Sequence, residues 1–283
     1  MENIFNFVVQ SLVKAGIESP RLEARILIAE VLHCRPEDVY DGINISAEVR
    51  QKIINMLKQR LQHMPLDKII GHKEFYKYDF WVNENVLSPR PDTEILLEKA
   101  LTLAQNNSAK KLLDLGTGSG CLIISLLKEL PTTQGVAVDI SNQALAVAQQ
   151  NAINLKVSDR LQFVNADWFA ADFVKKIGQE FEIIISNPPY IPRSDIKDLA
   201  PEVKDFDPML ALDGGNSGYD SYEKIAELTP QLLTDNGYIL LEAGVGQAPK
   251  IADIFTKHGL RLVDIVKDLS GIERCVILQK VVA

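Results

Sequence analysis

With 283 residues, 46% of them hydrophobic, the chain is long enough for one large or two ordinary domains with a proper core. Its 38 acidic and 30 basic residues leave a net charge of −8, which argues against broad, sequence-independent binding to nucleic acid. The three cysteines, Cys34, Cys121 and Cys275, are odd in number and far apart, so they form neither a disulfide framework nor a C-x-x-C metal pair and suit a reducing cytosol with no metal site.

Residues 1–72 read as all-helical. Ile4, Val8 and Leu12 recur at helical spacing, with Gly16 as the stop. Ser19-Pro20 offers an N-cap and a proline at the first helical position, opening a helix with Leu22, Ile26 and Ala29 inward. Ser46 starts a third helix carrying Val49, Ile53, Leu57 and Leu61. Nine basic and nine acidic residues balance in this stretch, leaving 21 basic and 29 acidic residues, and so the whole −8, in the remainder. A neutral helical bundle of this kind is expected to act as a recognition or docking module, the alternative being a structural cap.

Residues 73–88 change to an aromatic alternation (Phe75, Tyr76, Tyr78, Phe80, Trp81) that predicts a linking β-hairpin. The extended, proline-rich stretch Leu87-Ser-Pro-Arg-Pro-Asp-Thr-Glu94 follows, then a helix over 92–101. From residue 89 to 283 a larger domain is expected. After 108, apolar strands alternate with amphipathic helices, the signature of a parallel sheet. Seven strands are predicted, near 111–115, 135–139, 161–165, 181–186, 238–242, 261–266 and 274–279. The last two have no helix between them and should run antiparallel. Residues 191–217 are long and polar for a connection, as functional loops are. The opening residues lack the basic region of a signal peptide, and no apolar run approaches the roughly 20 residues needed to span a bilayer. A cytoplasmic protein without a membrane partner is expected.

The strand at 181–186 ends in Asn187-Pro188-Pro189-Tyr190. Two prolines cannot continue it, so the chain leaves the sheet at Asn187, where open α/β sheets place ligands. A side-chain amide oxygen (Asn187), a carbonyl ahead of a proline (Pro188) and an aromatic ring (Tyr190) together can grip a planar NH₂ group. Alone, the tetrapeptide also reads as a strand-ending turn. The first strand of the sheet ends in Asp114-Leu-Gly116-Thr117-Gly118-Ser119-Gly120. Its glycines permit a tight turn and close approach of a ligand to a helix N-terminus. Position 121 is Cys, so the spacing is G-x-G-x-G rather than the dinucleotide pattern, and it matches an S-adenosylmethionine pocket. Asp139, at the end of the second strand, can accept from both ribose hydroxyls. After the third strand, Asp167 can accept from an adenine amino group and Trp168 can pack on the ring.

In the order and wording of these motifs the chain resembles the PrmC/HemK-like family of peptide chain release factor N5-glutamine methyltransferases. The likeness covers nearly the whole chain, including Pro89 to Glu94, Asp114 to Gly120, Asn187 to Tyr190, Pro201-Glu202-Val203 and Leu212 to Gly215. Two departures are Ser88, where an aliphatic residue is common, and Asp207 before Pro208, where Glu is usual. The resemblance implies a seven-stranded Rossmann-like class I methyltransferase sheet behind a small helical domain. It also implies S-adenosyl-L-methionine as methyl donor, with S-adenosyl-L-homocysteine as product. The substrate implied is the glutamine of the Gly-Gly-Gln motif in class 1 release factors. Gly116 to Gly120, Asp139, Trp168 and Asn187 would touch the cofactor, and Asn187, Pro188, Pro189 and Tyr190 the glutamine.

No histidine or cysteine is placed to serve as a base, so positioning and charge stabilisation by Asn187 and the Pro188 carbonyl are expected to carry the rate. One rival is a DNA adenine amino-methyltransferase, whose substrate NH₂ the same tetrapeptide would hold. Such an enzyme flips its base and needs a basic face, which the acidic remainder of the chain lacks. Another is a non-catalytic module that retains the cofactor fold. No direct nucleic acid partner is expected, and the protein is expected to be a monomer.

Overall fold

The structure is a computed structural model that describes residues 3–281; residues 1, 2, 282 and 283 of the expected domains lie outside the described residues. The chain divides into two compact units, one comprising the residues up to 72 together with 200–206, the other 73–199 and 207 onward.

In the first unit, four helices follow one another: α1 (Ile4–Lys14), α2 (Pro20–Leu32), α3 (Ala47–Arg60) and α4 (Leu66–Ile70). The Asn3 side chain caps α1 by accepting from Phe5 N, and Ser46 caps α3 by accepting from Val49 N. Ser19 makes no such side-chain bond; at α2 it is Pro20, with φ already helical, that sets the start. The inward stripe of α2 also differs from expectation. Leu22 is exposed, and Ala24, Leu27, Ile28 and Ala29 are buried, because the 3.6-residue period aligns 24, 27 and 28 on one face. In α3, Ile53 and Leu57 are buried while Leu61 is exposed.

From residue 73 the second unit carries the rest of a hairpin of β1 (His72–Phe75) and β2 (Tyr78–Trp81), followed by α5 (Glu94–Asn106). Alternation then produces β3 (Lys111–Leu115), α6 (Cys121–Glu129), β4 (Gln134–Asp139), α7 (Asn142–Asn154), β5 (Leu161–Asn165), α8 (Phe173–Ile177) and β6 (Phe181–Ser186). The stretch 191–217 holds two short helices, α9 (Pro201–Lys204) and α10 (Met209–Leu212). The chain finishes with α11 (Asp220–Leu232), β7 (Leu233–Glu242), α12 (Ala248–Lys257), β8 (Leu260–Lys267) and β9 (Glu273–Lys280).

The seven long strands form one sheet in the order β5-β4-β3-β6-β7-β9-β8. All neighbours are parallel except β9, which runs antiparallel to β7 and to β8. Alternate residues of the central strands enter opposite cores: Leu113, Leu115 and Ile184 pack with α8, α11 and α12, while Leu112, Ile183 and Ile185 pack with α5 and α6. The hairpin joins the second of these cores through Phe75 and Phe80. Asn151 of α7 fastens it, accepting from Trp81 N at 2.8 Å and donating to Trp81 O at 3.0 Å.

Residues 200–206 belong to the first unit through α9. Arg60, 7% exposed, donates to both carboxylate oxygens of Glu23 (2.6 and 3.2 Å) and to Glu202 (3.4 Å), and Lys68 Nζ donates to the Phe206 carbonyl.

Candidate active site

β3 and β6 are neighbours, yet the chain leaves them in opposite directions, from β3 toward β4 and β5 and from β6 toward β7. Their carboxyl ends therefore bound the topological switch point, where a crevice opens above the sheet. Leu115 pairs with Ser186, and Ser186 Oγ donates to the Leu115 carbonyl at 2.7 Å. Gly116 and Asn187 consequently leave the sheet side by side.

The glycine turn is fixed from below. Gly116 N and Thr117 N both donate to the Val138 carbonyl at 2.9 Å. Asp139 Oδ2 accepts from Gly118 N and its Oδ1 from Ser141 N, each at 2.9 Å, so the strand-end acid holds the turn as well as facing the cavity. Burial pushes its carboxyl above the ordinary range. Thr117 Oγ1 donates to Asp114 Oδ2 at 2.7 Å beneath the turn. Asp114 is 1% exposed, and burial, with Asp139 nearby, pushes it up to about 7. Gly120 has φ +79°, and a Cβ there would stand 2.7 Å from Ile124 Cδ1, so this third glycine serves helix packing.

One cavity of about 330 Å³ brings together Gly116, Thr117, Gly118, Ser119, Asp139, Asp167, Trp168, Asn187 and Pro189. Further parts of its wall come from 85–90, Thr93, Cys121, Ile140, Phe169 and 208–211. Four expected site residues stand outside this lining: Asp114, Gly120, Pro188 and Tyr190. Asp114 and Gly120 support the turn. Pro188 is buried. Tyr190 is half-buried, with its ring against Gly244 and its carbonyl accepting from Gln247 Nε2 at 3.0 Å. Gly214 lies against its backbone, too close to admit a Cβ. The two prolines turn the chain so that the ring follows the end of β7 rather than the glycine turn.

Several residues of the site escape sequence reasoning. Ile140, Phe169, Met209 and Leu210 line the cavity yet are 48%, 55%, 55% and 64% exposed. In a sequence they look like core residues, and no pattern marks them as an apolar rim. Thr93 lines the cavity and donates to Glu242 Oε2 at 2.5 Å. Glu242, the last residue of β7, carries the signal that found Asp139: an acid at the end of a parallel strand. Arg90, the cation among the lining residues, donates to Asp207 Oδ2 at 2.8 Å.

The cradle fits S-adenosyl-L-methionine. At Gly116 a Cβ would meet the Trp168 ring at 3.4 Å, so the turn and the indole form one narrow wall. The buried Trp168 Nε1 has no hydrogen-bond partner among the described residues. The acids Asp139 and Asp167 suit a ligand that carries hydroxyls, amino groups and positive charge. No cluster of metal-ligating side chains occurs among the described residues.

Comparison with known proteins agrees. The methyltransferase small domain family matches residues 84–202, and the PrmC N-terminal domain family matches residues 3–71. A release factor glutamine methyltransferase of Rhodospirillum rubrum is 40% identical over 94% of this chain and 81% of its own length. One of the same description from Agrobacterium fabrum is 36% identical over 92% and 90%. A methyltransferase crystal structure from Pyrococcus furiosus, 16% identical, aligns over 72% of this chain and 89% of its own with a TM-score of 0.53, and shares the fold. The protein is an S-adenosyl-L-methionine-dependent methyltransferase with a Rossmann-like sheet. Sequence, sheet topology and cavity together make the chain a member of the release factor glutamine methyltransferase family.

Proposed function

We propose that this protein methylates the side-chain amide nitrogen of the glutamine in the Gly-Gly-Gln motif of class 1 peptide chain release factors. The observation that carries the reading is that Asn187, at the carboxyl end of β6, shares one cavity with the glycine turn after β3. Bound in that turn, the cofactor supplies a methyl group activated by a sulfonium charge. Asn187 Oδ1 and the Pro188 carbonyl then have the task of accepting from the two N–H groups of the substrate amide. That fixes the amide plane and stabilises the positive charge growing on its nitrogen. Pro189 and the apolar rim exclude water from the reacting atoms. We assign residues 1–72 to recognition of the release factor, as a neutral helical module, and place the protein in the cytoplasm as a monomer. Among the described residues no helix is long and apolar enough to cross a membrane.

The same clamp would hold an adenine NH₂, but the cavity mouth supports a protein substrate. Apart from Arg90 its exposed residues are apolar, and the guanidinium of Arg90 is committed to Asp207, whereas a flipped nucleotide calls for phosphate contacts. The test is label transfer from methyl-tritiated cofactor to purified release factor and to duplex DNA, followed by mass spectrometry. The expected result is one added CH₂ on the glutamine and none on DNA. Label on DNA alone would overturn the assignment.

A further inference from the structure

Asn187 does not stand alone in the cavity wall. Its Nδ2 donates to Thr93 Oγ1 at 3.4 Å, and Thr93 Oγ1 donates to Glu242 Oε2 at 2.5 Å. Thr93 and Glu242 are each 3% exposed. A hydroxyl has one proton. With that proton given to the carboxylate, Thr93 can only accept from Asn187, and the NH₂ end of the Asn187 amide must face it. The amide oxygen is then forced to the other side. Without this constraint the two ends of an Asn amide are nearly isosteric, and the wrong end would present donors to a substrate NH₂ that needs acceptors.

We propose that Thr93 and Glu242 are positioning residues that set the orientation of the Asn187 amide, presenting Oδ1 as the acceptor for the nitrogen to be methylated. The relay rests on the reading of Asn187 as the substrate clamp and assigns roles to two residues beyond it. The carboxylate charge also acts through the chain of bonds: it polarises the Thr93 hydroxyl, which polarises the Asn187 amide, strengthening Oδ1 as positive charge grows beside it. The buried charge has no dedicated cation. Arg274 favours its ionised form but is itself shared between Asp92 at 2.9 Å and Asp268 at 3.1 Å. Nothing else in the proposed mechanism uses Glu242.

Burial pushes the Glu242 carboxyl up to about 7. The groups that face it are Thr93, Asp92 and Asn187, Arg274 and Cys275 of β9, the phenols of Tyr190 and Tyr222, and Cys121. The phenol of Tyr190 and both thiols are pushed to about 12, and that of Tyr222 well above its ordinary value, so none of the four changes charge near neutrality. A protonated Glu242 can itself donate to Thr93, which frees the hydroxyl proton for Asn187 Oδ1 and lets the amide turn. Acid should therefore disorganise the clamp.

The test uses the full-length enzyme, tritiated cofactor and purified release factor. Thr93→Val, which keeps the shape and removes the hydroxyl, is expected to lower kcat at least ~10-fold with cofactor Kd by calorimetry unchanged. Thr93→Ser restores most of the rate. In an Asn187→Ala background Thr93→Val costs almost nothing further, because the side chain it orients is gone. Glu242→Gln lowers kcat and removes the fall in rate below neutral pH. On the free enzyme, the Asn187 side-chain amide resonances titrate near neutrality and cease to do so in Thr93→Val. A Thr93→Val enzyme as fast as wild type, or one whose loss multiplies in the Asn187→Ala background, would overturn the relay. So would Asn187 resonances indifferent to Thr93, whatever the substrate proves to be. Failure of the wild type to label release factor while those resonances titrate as expected would instead overturn the substrate assignment and leave the relay supported.

Discussion

At Asn187 a strand, a proline pair and a cavity meet. Its side chain is useful because the backbone around it is fixed: Ser186 bonds across to β3, and Pro188 and Pro189 restrict the exit. Removing the side chain should leave that frame standing. Asn187→Ala is accordingly expected to fold normally and lose at least ~10²-fold in turnover, the scale of one preorganised polar contact. Near-normal turnover would remove Asn187 from the mechanism. Asp139 plays a different part. Its two oxygens hold Gly118 N and Ser141 N and also face the ligand cavity, so Asp139→Ala loosens the turn and withdraws the ribose acceptor together. The expected outcome is weaker cofactor binding by calorimetry, and an unchanged Kd would exclude Asp139 from the site.

At the scale of elements, α9 depends on the first unit's helices through Arg60. This guanidinium is 8% exposed in its side chain, between Glu23 and Glu202, and removing it leaves carboxylates beside apolar neighbours. Arg60→Met is expected to destabilise the unit by about 2–3 kcal/mol and to raise amide hydrogen exchange in 200–206. Protection unchanged in that stretch would mean α9 is held without Arg60. The same element shows what a sequence discloses. Parallel strands such as 111–115 and 181–186 are legible because both faces are buried and β-branched runs end in glycine or proline. The glycine turn, Asp139 and Asn187 are legible because each sits at such an end. The bonds of Arg60 to Glu23 and Glu202 span 37 and 142 residues, and no local pattern encodes them. Leu22 misleads because the buried stripe of α2 runs through Ala24, Leu27 and Ile28, and the direction the Tyr190 ring takes after two prolines is not given by the order of the motif's residues. Thr93 lies inside the Pro89 to Glu94 motif, yet its value comes from a carboxylate 149 residues later in the chain.

For the molecule as a whole, a site that needs buried charge lowers stability. Asp114 and Glu242, at the ends of β3 and β7, are 1% and 3% exposed, and burial holds both up to about 7. In the unfolded chain they release their protons near 4, so between about 4.5 and 7 the folded state binds more protons than the unfolded one. Stability must then fall as pH rises through that window, and above it each carboxylate's full cost is present. For Glu242 the displacement from 4.5 to about 7 corresponds to roughly 3 kcal/mol. Glu242→Gln removes the charge and keeps an acceptor for Thr93. In the cofactor-free protein this substitution is expected to raise Tm at pH 8.5, with the gain shrinking toward zero by pH 5, where the native carboxyl is already protonated. The variant should thus be the more stable protein and the slower enzyme, as expected where a site is held in a strained electrostatic state. Differential scanning calorimetry of both proteins across that range decides the matter. A Tm difference that stays constant with pH would mean that Glu242 titrates at its ordinary value in the native state, and that β7 ends in a carboxylate that water can reach.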